Sequence, residues 1–197
     1  MEIGCGIGST VAPLLGNCRA PHLDRVTCVD VSPVAIARLR RRGLPTVRGL
    51  VADITQGGVP DGAPYDIVTF IFCLSAVPVD KMHAAARNAI ASVRSGGVLY
   101  FRDYATDDLA QGRGPRGRPT WERLTKEEED EDGQTTSYLR RNGTLSHFFS
   151  LEEVRGLFGV KGVTEALEER VVQKEVVNRK DDVTMHRCFV QCRYRVL

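Results

Sequence analysis

Three glycines at alternate positions, Gly4, Gly6 and Gly8, stand between a stub of strand and a helix-like stretch at 11–16, with Glu2 just ahead of them. No other feature of the chain restricts its fold as much. Glycine accepts positive φ and lets a backbone or a ligand approach closely. A strand that passes into a helix through such a loop reads as the first unit of an open α/β sheet, with the loop turned toward a ligand. A dinucleotide loop, GxGxxG, would place its third glycine at position 9, where this chain has Ser9. The pattern here is ExGxGxG.

Beyond the loop the chain keeps alternating between strand and helix. A β-branched apolar run at 26–33 ends in Asp30 and a Ser-Pro helix start. A helix is expected over 34–43, with basic residues late and Gly43 as its stop. A third strand over 47–54 ends at Asp53. The near-continuous apolar run at 65–77 suits a parallel strand covered on both faces. A helix over 80–97, capped by Asp80 and stopped by glycines, leads to a strand over 97–105. Residues 106–137 break the pattern and read as an exposed insertion. Ser150 with Glu153 forms a capping box for a helix over 150–158. Two strand-like runs, 168–178 and 184–196, flank a polar turn and predict an antiparallel hairpin. The expected fold is α/β, a doubly wound Rossmann-like sheet with a C-terminal antiparallel hairpin.

With 197 residues the chain is expected to form a single domain, 1–197. Its net charge of +2 permits a nucleic-acid partner without requiring one. No apolar run approaches the roughly 18 residues of a membrane span, so no membrane partner is expected. The six cysteines form no CxxC pair and gather with no histidine cluster, which reads as reduced, buried thiols in a reducing compartment and no metal; the cytoplasm is expected, with nucleus and mitochondrion left open by the missing N-terminus. The first strand has only about three residues before its loop. The chain is therefore expected to be truncated at its N-terminus, with any targeting segment or substrate-binding arm missing.

Two carboxylates stand after the glycine loop at successive strand ends. Asp30 is placed to accept both hydroxyls of a ribose, a geometry that serves NAD as well. Asp53, followed by Ile54, ends the third strand. The ExGxGxG loop, Asp30 and Asp53 in this order resemble motif I and its partners in class I S-adenosylmethionine methyltransferases.

The remainder is more distinctive. The stretches FIFCLSAVPVDKM (70–82), GGVLYFRDYATDDLAQGR (96–113), YLRRNGTLSHFFSLEEV (138–154) and VVNRKDDVTMHRCFVQCRY (176–194) occur in that order. Together they resemble the eukaryotic tRNA 3-methylcytidine methyltransferases. The resemblance implies S-adenosylmethionine as cofactor, held by Glu2, Gly4, Gly6, Gly8, Asp30, Asp53, Ile54 and Ile71. It implies tRNA as substrate, with Phe72, Ser75, Arg102, Asp103 and Tyr104 at the mouth where the base enters. Arg140, Asn178, Arg179 and Arg187 match RNA-facing positions. An aminoacyl-tRNA synthetase or another protein is an implied partner. The acidic run at 127–132, inside the insertion, departs from the family, which is more basic there.

The chemistry asks little of a base catalyst. Cytosine N3 is neutral near pH 7 and offers an in-plane lone pair, so alignment with the methyl carbon and sulfur is the main requirement. A single-stranded loop gives up a base cheaply. Asp103 is expected to stabilise the positive charge that develops on the methylated ring. Phe72 or Tyr104 is expected to stack on the base, and Arg102 to hold a phosphate or orient Asp103. The alternatives are methyl transfer to a small molecule or protein, and a truncated, inactive paralogue. An NAD-dependent oxidoreductase is disfavoured by Ser9 and by the lack of a hydride-transfer site.

Overall fold

The computed structural model describes residues 1–17, 23, 25–57, 63–108, 121–123, 136–140, 143–178 and 183–197. The expected alternation is found. Strand β1 (Glu2–Ile3) passes through the glycine loop into α1 (Val11–Asn17). Then come β2 (Val26–Asp30), α2 (Pro33–Arg41), β3 (Val47–Val51) and β4 (Tyr65–Ile71). A short 3-10 turn (Leu74–Ala76) leads to α3 (Val79–Ala91) and β5 (Val93–Tyr104). β2 stops at Asp30, as expected, because Ser32 caps the next helix. Its hydroxyl accepts from the Ala35 amide at 3.2 Å, and Pro33 opens the first turn with φ already suited to a helix.

Three short strands come next, β6 (Trp121–Arg123), β7 (Ser137–Arg140) and β8 (Leu145–His147), then α4 (Leu151–Phe158). The chain ends in β9 (Thr164–Asn178) and β10 (Val183–Val196). The main sheet has seven strands in the order β3-β2-β1-β4-β5-β10-β9. β1 to β5 pair in parallel. The C-terminal hairpin is antiparallel, with β10 set between β5 and β9. Strand order reverses between β1 and β4, so the crevice at the carboxyl ends of these strands is where such a sheet receives a ligand.

Several boundaries differ from those expected, among them the third strand, which stops at Val51 and leaves Asp53 two residues beyond it. The helix read over 80–97 spans Val79–Ala91, and its N-cap is Pro78, without a side-chain bond; Asp80 lies in the first turn. The glycines read as its stop lie inside β5. There Gly96 takes φ 75° and the pairing with β4 jumps from Tyr65↔Val93 to Ile67↔Val98. These glycines make a bulge, which needs a positive φ as much as a helix stop does. The run at 65–77 is strand only as far as Ile71, because Phe72 turns the backbone to φ 51°. The expected insertion contributes β6, which pairs with β7; β7 pairs in turn with β8, making a small antiparallel sheet at and beyond the insertion's end. The acidic run at 127–132 and the turn at 179–182 lie outside the described residues.

The main sheet is covered by α3 and α4 on one face. Phe70, Phe101 and Phe158 meet there, with ring centroids 5.0 Å apart for Phe101 and Phe158, beside buried Leu99 and Tyr194. On the other face α2 buries Ile36 and Leu39 against Cys28.

Candidate functional site

The site is built at the carboxyl ends of β1 to β5. The glycine loop starts with the Gly4 and Cys5 amides, which both donate to the Val29 carbonyl, at 2.8 and 3.1 Å. All three glycines have positive φ, but space demands differ. A Cβ on Gly4 would collide with Cys73, and one on Gly8 with Leu39. At Gly6 nothing lies within 4 Å of that position. Gly6 thus presents bare backbone to open space, which is where a ligand can approach.

Asp30 fixes this loop from the end of β2. One carboxylate oxygen accepts from the Gly6 amide at 2.8 Å, the other from the Ser32 amide at 2.8 Å. Asp53, beyond the end of β3, accepts the Thr55 amide at 2.9 Å and its hydroxyl at 2.8 Å. These bonds, the amide first, hold its carboxyl below the usual carboxylate range. Ile54 is buried beside it, and its carbonyl accepts from Asn88 of α3 at 2.6 Å. Ile71 lies half-buried at the end of β4. Glu2 stands apart from this group. Its carboxylate is buried, with burial raising its pKa, and accepts from Thr10 and the Val11 amide at the start of α1. Glu2 therefore props the loop from behind.

A second group forms the wall across the crevice. Phe72, in its left-handed backbone, leaves 44% of its surface exposed. Its ring lies 5.3 Å from Tyr104, tilted 39°, and 5.5 Å from Phe189, edge-on. Phe148 backs Tyr104 at 5.8 Å. Three arginines sit over these rings. Arg102 lies 4.7 Å from the Phe189 centroid, Arg187 5.4 Å from Tyr104 and Arg140 5.7 Å from Tyr104. Arg187 is held by Asp108, whose oxygens lie 2.9 and 3.0 Å from its Nε. Arg140 donates to the Ser146 hydroxyl at 2.9 Å.

Asp103 takes a different place from the one expected. It lies within β5, as the strand read over 97–105 has it, but it is fully buried rather than set at the mouth. Neighbouring residues of a strand point to opposite faces, so Asp103 and Arg102 form no ion pair. Asp103 turns instead under the Phe72–Ser75 turn, accepting the Ser75 amide at 3.0 Å and the Tyr104 amide at 2.9 Å. Burial pushes its pKa up to about 6, against the opposing pull of these bonds and of His147. His147 is itself buried, with Ser137 at 2.7 Å on Nδ1 and Glu153 at 2.8 Å on Nε2.

The structure therefore joins Gly4, Gly6, Gly8 and Asp30 at one end of the crevice, with Asp53 and Ile54 beyond the neighbouring strand end, whereas Ile71 lines a cleft beside α1 together with Glu2. It gathers Phe72, Arg102, Tyr104, Arg140 and Arg187 at the other, with Ser75 and Asp103 beneath. The backbone of Asn178 ends β9; Arg179 lies outside the described residues. Sequence reasoning missed Phe189, Asp108 and Asn88. Phe189 faces Tyr104 only through the β10–β5 register, which no local pattern reveals. Among the described residues no three His, Cys, Asp or Glu side chains gather to hold a metal, and no helix is long and apolar enough to cross a membrane.

Comparison with known proteins agrees with this geometry. A family model described as a methyltransferase domain matches residues 1–163. The tRNA N(3)-cytidine methyltransferase METTL2 of Danio rerio is 33% identical over 99% of this chain and 53% of its own length. METTL2B of Homo sapiens, of the same description, is 33% identical over 98% of this chain and 49% of its own. The chain thus spans about half the length of the curated relatives it matches. Among solved structures, a SAM-dependent methyltransferase from Anabaena variabilis superposes with a TM-score of 0.68 at 14% identity, over 100% of this chain and 76% of that one. DhpI in complex with SAH gives 0.59 at 24% identity, over 99% and 74%. These likenesses establish the class I methyltransferase fold. The match over residues 1–163 establishes more: the chain belongs to the methyltransferase domain family.

Proposed function

We propose that this chain carries the methyl-transfer centre of an S-adenosylmethionine-dependent tRNA methyltransferase that acts on N3 of cytidine. The observation that carries the reading is the exposed Phe72 ring, set on a left-handed backbone against Tyr104 and Phe189 and rimmed by arginines, opposite an open glycine loop. An aromatic face among cations suits an unstacked base and its phosphate. The curated relatives named for this activity support the substrate.

The residues fit the cofactor. Gly6 leaves the space a Cβ would fill, and Asp30 holds the loop while keeping further acceptor capacity for ribose hydroxyls. Asp53 and Ile54 are placed for the adenine. When bound, S-adenosylmethionine would supply an electrophilic methyl on a sulfonium, whose C–S electrons would pass to sulfur as the cytosine N3 lone pair took the methyl. Phe72 and Tyr104 hold the ring so that N3 faces the methyl. Asp103 keeps the Phe72–Ser75 turn in place from below, as a positioning residue, and its charge favours the cation formed on the ring. The resemblance adds an aminoacyl-tRNA synthetase or other protein partner. The five free thiols among the described residues fit work in the cytoplasm.

The test is to incubate this chain with S-adenosylmethionine and an unmodified tRNA transcript and analyse the digested nucleosides by mass spectrometry. The expected product is 3-methylcytidine, lost in Phe72→Ala. A methyl group on another nucleoside, or only on non-RNA acceptors, overturns the substrate assignment.

A further inference from the structure

Alternation along β5 places Tyr100, Arg102 and Tyr104 on the face turned away from buried Leu99, Phe101 and Asp103. The register extends this face across the hairpin. Gln191 lies beside Arg102, and Arg170 beside Gln191. One step toward the crevice, Phe189 lies beside Tyr104 and Val172 beside Phe189. One step away, Arg193 lies beside Tyr100 and Glu168 beside Arg193. A cationic row therefore runs alongside the aromatic row of the candidate site. On this face, among the described residues, the Arg170 side chain is 60% exposed and that of Arg193 40%.

Charge on this face is unbalanced. Glu168 is shared by Arg170 and Arg193, each at 2.6 Å, and by Gln191 at 3.2 Å. Arg195 is matched by Glu165 and Arg187 by Asp108. Arg102 donates to Gln191 at 2.5 Å and stacks on Phe189, and no carboxylate of the described residues lies within ion-pair distance of it. Burial first, and the Arg170 charge second, push its pKa down from the usual arginine value. Two guanidinium groups feel each other across Gln191 with one carboxylate nearby, an arrangement that an anion relieves. A phosphodiester offers two oxygens to two such forks. Along a single strand, phosphates run beside bases as this cationic row runs beside the rings.

Resting on the RNA reading above, we propose that this face of β5, β10 and β9 seats the sugar–phosphate backbone of the substrate RNA, with one phosphate held between Arg102 and Arg170. Glu168 tunes this seat by competing for Arg170.

The experiment is fluorescence anisotropy of a labelled tRNA anticodon stem-loop against this chain over a salt series. The S-adenosylhomocysteine-induced thermal shift serves as the check that each variant is folded. Arg170→Gln should weaken binding about fivefold at low salt and lower the slope of log K against log salt by about 0.7. Glu168→Gln should bind more tightly than the parent, an outcome that loss of folding cannot imitate. Arg41→Gln, the same charge change on exposed α2 at the far edge of the sheet, should bind as the parent does. Equal weakening by Arg41→Gln and Arg170→Gln, or no tightening in Glu168→Gln, overturns the seat. Unchanged Arg170→Gln binding in a chain that still methylates tRNA overturns the seat alone. If the parent chain binds no RNA, the RNA reading falls and the seat with it.

Discussion

Asp103 shows how far a single residue's role depends on which face of a strand it occupies. The resemblance marked it, and its neighbours Arg102 and Tyr104 do line the crevice. Alternation then sends its carboxylate into the core, where two amides receive it. The strand read over 97–105 already contains Asp103, and alternation from Leu99 and Phe101 puts it on the buried face; it was the resemblance that put it at the mouth. Its energetics are testable. An unfolded Asp titrates near 3.8, whereas burial lifts the native group to about 6. Between these values the native state binds more protons than the unfolded one, so stability falls as pH rises from about 4 to about 6. The slope is at most about 1.4 kcal/mol per pH unit. Urea unfolding of the parent and Asp103→Asn should therefore diverge across that window, the parent losing ground to the variant as pH rises, and run parallel above it. Asp103→Ala should keep S-adenosylhomocysteine binding and lose methyl transfer; loss of both to the same degree would remove its positioning role.

At the scale of elements, the serine caps were legible, whereas the cap expected of Asp80 and the bulge were not. Ser32 and Ser150 both cap helices as their sequences indicate, Ser150 accepting from Glu153 at 3.0 Å. These bonds are local, and a few neighbouring residues specify them. The glycines at 96 and 97 are a different case. A glycine pair after an apolar helix suits a helix end, but α3 stops earlier and the pair instead lets β5 bulge against β4. The deciding contact is distant in sequence: a Cβ on Gly97 would lie 2.8 Å from the Asp66 carbonyl and 2.9 Å from that of Arg94. Neither backbone atom can step aside without disturbing the β4–β5 pairing that carries Phe72 and Arg102. Gly97→Ala should cost about 1–3 kcal/mol in urea unfolding. Gly57→Ala, where nothing lies within 4 Å of the new Cβ, bears only the strain of its φ of 79° and should cost less. Equal costs would mean that packing at the bulge contributes nothing.

Across the whole molecule the sheet divides into two working halves. The parallel half was legible because its strands are apolar runs, two of them marked by a carboxylate, Asp30 at the end of β2 and Asp53 two residues beyond β3. The aromatic wall was legible only in part, since Phe72 and Tyr104 are local but Phe189 arrives through a pairing 85 residues away in the chain. This division makes the two binding events separable. A ligand that binds only the native state raises stability by RT ln(1 + [L]/Kd), about 2.7 kcal/mol at one hundred times Kd. S-adenosylhomocysteine should therefore raise the melting temperature of the parent. In Asp30→Ala the Gly6 and Ser32 amides lose their acceptor, and the loop loses the group that fixes it from β2. The shift at a fixed ligand concentration should then shrink to near nothing. Phe72→Ala removes a ring from the opposite wall, 44% exposed and bonded to no part of the loop, so its shift should match the parent's even as methyl transfer to tRNA fails. A shift lost equally in both variants would mean that Phe72 holds the cofactor, and that the aromatic wall belongs to the cofactor pocket rather than to the base.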